Sequence, residues 1–140
     1  VGTESTSDEN FPKRSGLHNR FAGWLFGAAG IYGLIVLVPQ FFLEQRIGTE
    51  SPPAITHPEY FYGFIGVGAA WQVAFLVIAC DPARLRPVIL PGVLEKVGFG
   101  AASIVLFCLG RLQGMILGAG IIDLVWATLF LVAWRRLAEQ

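Results

Sequence analysis

Residues 21–43 carry no charge, and neither do residues 60–79. Each run is close to the roughly 20 apolar residues with which a helix crosses a bilayer core. Composition agrees. The chain is 54% hydrophobic and only 14% charged, whereas an ordinary soluble domain carries about 25% charged residues. That is too little charge to coat a globule in water, so lipid is the solvent the chain is built for. In lipid every backbone polar group must be satisfied within the fold, and runs of this length suit helices rather than barrel strands.

Four spans are predicted, at residues 21–43, 59–80, 91–111 and 114–135. The expected fold class is all-α, a transmembrane four-helix bundle forming one domain over residues 21–136. A polar N-terminal tail, residues 1–20, precedes it, and a short C-terminal tail, residues 137–140, follows. The N-terminal tail is mixed in charge and lacks the pattern of a secretory signal peptide. With four spans, Lys13, Arg14, Arg20, Arg84, Arg86, Lys96, Arg135 and Arg136 share one side. Only Arg46 and Arg111 fall on the other. The positive-inside rule then predicts cytoplasmic N and C termini.

The first connection is rich in proline and leads into "HPEYFYGFIG". Pro58 suits a first helical turn, where its missing N–H costs nothing. Glu59 is favoured by the dipole at a helix N-terminus. Tyr60, Phe61 and Tyr62 match the aromatic belt at a membrane boundary. His57, Glu59, Tyr62 and Arg111 are expected as an outer-side cluster. On the inner side, Arg84, Arg86 and Lys96 are expected to reach anionic headgroups, Lys96 by snorkelling from the start of the third span. Glu95 and Lys96 are neighbours, about 100° apart around a helix, and are expected to face each other poorly. The pairs in "GWLFG" and "GMILG" have the small-xxx-small spacing of close helix packing.

Asp123 is the most informative single residue. Eleven uncharged residues precede it and eleven follow, which places it near the bilayer centre. A carboxyl facing lipid there costs at least about 2.5–3.5 kcal/mol. It is therefore expected to face the bundle interior, protonated or paired. Tyr32, Gln72 and Ser103 fall near the centres of the other three predicted spans. Together the four residues define an expected midplane polar layer, either interhelical glue or the lining of a ligand pocket. Within that layer Asp123 is the single acid. Arg111, at the far end of the third span, is the only cation considered for it.

The segment beginning "HPEYFYGFIGVGAAWQVAFLVIACDPARLRPVILPGVLEK", with "GR" at Gly110–Arg111 and "DL" at Asp123–Leu124, resembles a group of uncharacterised bacterial four-helix integral membrane proteins, loosely DoxX-like in layout. The resemblance covers about residues 55–135. It implies a four-helix bundle in the bacterial cytoplasmic membrane and carries no catalytic residues.

Three function classes follow. The first is a non-catalytic accessory or scaffold subunit of a larger respiratory or photosynthetic membrane complex. Its partners would be the lipid bilayer and other membrane subunits or a second copy of itself. The second is a protein that binds or acts on a lipid, a sterol-like molecule or a quinone around Asp123. The third is a small oligomeric transporter. Ten basic and ten acidic residues balance to zero, which leaves no basic footprint for nucleic acid. Cys80 and Cys108 match no metal or redox motif, and no metal site is expected. No cofactor is encoded by a motif; lipid, quinone or pigment at the surface is what the composition admits.

Overall fold

The computed structural model describes residues 13–139, with side chains from residue 16 onward. The described chain is helical, without a strand: α1 (Lys13–Leu37), a 3-10 segment (Val38–Phe42), α2 (Glu44–Glu50), α3 (Pro58–Cys80), α4 (Arg86–Cys108), α5 (Gly114–Arg136) and a final 3-10 turn (Leu137–Glu139). Among the described residues four helices are long and apolar enough to cross a membrane, an architecture compatible with a multi-pass membrane protein. Less than a third of each span's most apolar window is buried within the chain itself. Trp24, Leu94, Met115 and Ile35 all point outward. A helix that is apolar all round needs an apolar medium on every face.

The chain forms two antiparallel hairpins. α1 packs along α3, and α4 along α5; the hairpins meet chiefly where α1 touches α5. Small residues set both hairpin contacts. On α1, Gly23 and Gly27 lie against Ala79 of α3, and Gly30 and Gly33 against Gln72. A methyl group at Gly33 would overlap the Gln72 side chain, so only glycine leaves that polar group its space. On α4, Gly100 faces Leu124 and the Gly120 backbone of α5, and Gly120 in turn meets Ser103. The "GWLFG" pair therefore packs within the chain. Gly114 and Gly118 of "GMILG" have open space beside them.

The tightest core lies at one end of the bundle. It joins the middle of α1, the last half of α3, the start of α4 and the last half of α5. Phe26, Phe75 and Phe130 are fully buried there, with ring centroids 4.4 Å apart for Phe26–Phe130 and 4.9 Å for Phe75–Phe130. Ala22, Leu25, Ala29, Ile78, Ile89, Ala133 and Leu137 fill the space around them. At the opposite end α2 is tied down by Tyr62 of α3, whose hydroxyl donates to Glu44 at 2.7 Å, and within α2 Arg46 pairs with Glu50 at 2.8 Å.

Helix bounds differ from expectation in two places. Helix α1 starts at Lys13, so residues 13–20 of the expected tail are helical, while residues 1–12 and 140 lie outside the described residues. The third span begins at Arg86 rather than at residue 91. Pro87 occupies its first turn, where a proline is tolerated. Pro91 sits inside the helix and does not start it. At the far end, Gly110 adopts φ 67°. Its N–H reaches Phe107 O at 2.9 Å and that of Arg111 reaches Leu106 O at 2.9 Å, a Schellman cap that ends α4 three residues before the predicted limit.

Candidate functional site

The five-residue shift at the start of α4 changes the chemistry of the interior. Lys96 is now one residue from the middle of a 23-residue helix rather than near its start. It is about 15 Å along the axis from the helix start. Asp123 is two residues from the middle of α5. The tight α4–α5 contact at Gly100 and Gly120 brings the two together: Lys96 Nζ lies 3.3 Å from Asp123 Oδ1 and 3.5 Å from Oδ2. The same ammonium is 3.3 Å from Glu95 Oε2 and 5.5 Å from the centroid of Phe75. Its side chain is only 6% exposed.

The expected placement of Lys96 at inner-leaflet headgroups is thus corrected. A lysine at mid-helix cannot snorkel out over three turns of backbone, and it is neutralised by acids inside the bundle. The expectation of a lone acid without a cation falls with it. Glu95, Lys96 and Asp123 form an ion triad of two carboxyls and one ammonium. Glu95 meets its neighbour by distance only: Oε2 is buried and makes no aligned hydrogen bond, as a 100° offset around the helix implies. The signal in the sequence was that Glu95 and Lys96 are the only charges between Arg86 and Arg111.

The expected midplane layer is otherwise divided among separate contacts. Gln72 is buried, and its Nε2 donates to Gly68 O at 3.1 Å along its own helix, while Oε1 is buried without a partner. Ser103 is buried against Gly120. Tyr32 is partly exposed and lies 6.2 Å from the Trp126 ring. No hydrogen bond joins any two of Tyr32, Gln72, Ser103 and Asp123 among the described residues.

The other predicted groups separate likewise. His57 Nδ1 and Glu59 Oε1 are 3.3 Å apart and well exposed, but Tyr62 is bound to Glu44. Arg111 is exposed and makes no ion pair among the described residues. Arg84 is exposed, and its backbone N–H donates to Asp81 at 3.2 Å, closing the α3–α4 turn. Arg86 donates through Nε to Trp134 O at 2.9 Å and stacks 4.2 Å from that indole, joining α4 to the end of α5.

A groove of about 420 Å³ runs between α3 and α4, lined by Gly63, Phe64, Val67, Gly68, Trp71, Glu95 and Phe99. Its wall is apolar and aromatic, with Glu95 as its one ionisable side chain. Phe64 of α3 and Phe99 of α4 meet in its lining, with ring centroids 5.7 Å apart. The groove exists because α3 and α4 are sparsely packed neighbours in the bundle and because Gly63 leaves open space on the α3 face, whereas Gly68 is packed against Leu37 of α1. Among the described residues no group of three His, Cys, Asp or Glu side chains could hold a metal ion. Comparison with protein-family models, curated proteins and solved structures found no match to the chain.

Proposed function

We propose that the chain binds a lipid-like molecule within the bilayer, seated in the α3–α4 groove with its polar end at Glu95. One observation carries this: an open, largely apolar groove has in its lining a carboxyl of a buried ion triad at mid-span. Triad and groove need not coincide for packing alone. Ionisable groups at such depth mark ligand or ion paths more often than they serve as glue. Aromatic walls with one convergent polar group are what small-molecule sites offer. The resemblance to bacterial four-helix membrane proteins supports a place in the bacterial cytoplasmic membrane. The excess of arginine at the end holding both termini supports cytoplasmic N and C termini.

The test is native mass spectrometry of the chain released from its membrane in mild detergent. Gly63→Leu fills the groove from a position with free space around it, so the fold should survive. The expected result is a bound lipid-like species that disappears in Gly63→Leu and persists in Gly114→Leu. Identical occupancy in both variants would overturn the proposal.

A second reading, the accessory or scaffold subunit, has its own support in the outward face of Gly114 and Gly118. Nothing in the described chain packs beside them, and small residues of this spacing let a neighbouring helix approach closely. Loss of a co-isolated membrane subunit in Gly114→Leu, with the groove occupant retained, would favour that role.

A further inference from the structure

We infer that the groove selects a lipophilic organic cation. This rests on the groove being a binding site, and adds the charge of what it takes. The first ground is charge balance. Two carboxyls and one ammonium leave one negative charge in excess when all are ionised, and an uncompensated charge in the interior is costly. Asp123 is the acid aligned with Lys96, at 3.3 Å and 3.5 Å. Glu95 is the acid of the triad that lines the groove; its buried Oε2 lies 3.3 Å from Lys96 Nζ without an aligned hydrogen bond, while Asp123 is not part of the lining. The excess therefore falls on the groove side, where either a proton or an external cation cancels it.

The second ground is the wall. Phe64, Trp71 and Phe99 line the same space. Aromatic faces attract cations through the ring quadrupole, most strongly when the cation is desolvated, and they favour organic ammonium-type groups. An anionic lipid is disfavoured on both counts. Lys96, the one cation nearby, is 6% exposed and already engaged by Asp123 and Glu95. A small inorganic cation is disfavoured because, among the described residues, no group of three His, Cys, Asp or Glu side chains could hold a metal ion.

The experiment uses two ions of the same shape and opposite charge, tetraphenylphosphonium and tetraphenylborate. Each is titrated into the purified full chain in detergent and followed by tryptophan fluorescence. Binding is counted as the part lost in Gly63→Leu, which removes partition into micelles. The phosphonium is expected to bind at least tenfold more tightly than the borate. Glu95→Gln should lower phosphonium affinity at least tenfold, and Glu95→Asp should retain the preference. Should Glu95→Gln fail to fold, Phe99→Leu weakens the aromatic wall and should cost the phosphonium several-fold while sparing the charge. Equal affinity for both ions, or no groove-dependent phosphonium binding, overturns the inference. In that event a native lipid-like occupant still displaced by Gly63→Leu would leave the proposed function standing.

Discussion

An ammonium at the centre of a span has lost its water, and only nearby anions and ring faces replace it. For Lys96 these are Asp123, Glu95 and Phe75. Removing the cation leaves two carboxyls with nothing between them. Breaking a buried pair in this way costs about 3–5 kcal/mol, well above the roughly 0.6 kcal/mol of an average hydrogen bond within a membrane. Lys96→Met is therefore expected to destabilise by the larger amount, measured by equilibrium unfolding in mixed micelles. The double change Lys96→Met with Asp123→Leu should cost less than Lys96→Met alone, because it removes one of the stranded acids. A loss near 0.6 kcal/mol for Lys96→Met would mean that the triad contributes only as an ordinary polar contact. Gln72 offers the contrast. Its Oε1 has no partner to lose, so Gln72→Leu, similar in volume, is expected to change stability by less than about 1 kcal/mol in the same assay.

Helices α4 and α5 meet through backbone, which makes their contact unforgiving. A methyl group at Gly120 would lie 2.6 Å from Ser103 Cβ, an atom that no rotamer moves. Alanine improves helix propensity by about 1 kcal/mol, but overpacking costs about 1–3 kcal/mol, so clash prevails. Gly120→Ala should be destabilised and Gly118→Ala, with open space, unchanged or up to about 1 kcal/mol more stable. Thermal unfolding of the two variants side by side checks this; equal behaviour would mean that α4 and α5 do not meet at Gly120. Because the same contact holds Lys96 against Asp123, Gly120→Ala is also expected to weaken phosphonium binding.

At the scale of the molecule, the hairpins place the basic residues of the α1 start, the α3–α4 turn and the α5 end together. Arg20, Arg84, Arg86, Arg135 and Arg136 lie at that end, and Arg46 and Arg111 at the other. Lys96 leaves the count because it is interior, yet the asymmetry persists. With Cys80 and Cys108 replaced by serine, Thr56→Cys should react with an impermeant maleimide on intact bacterial cells. Ala83→Cys should react only after permeabilisation. The reverse pattern would turn the molecule over in its membrane.

Four apolar helices were legible from local composition, because a span is a property of a contiguous segment: its length and its lack of charge decide it without reference to any neighbour. Asp123 facing inward followed from the same reasoning, since lipid offers a carboxyl nothing. The ion triad was not legible. It depended on where α4 begins, and Pro91 reads as a helix start in isolation although the helix starts at Arg86, with Pro87 in its first turn, directly after the turn closed by Asp81. Nor could the sequence tell that Gln72 packs toward α1 while Lys96 turns toward α5. Span number and polarity are set by the chain's exchange with its solvent, segment by segment. Which polar groups meet inside is set by helix rotation and close approach, and those are settled only when glycine and its opposing side chains pack in three dimensions.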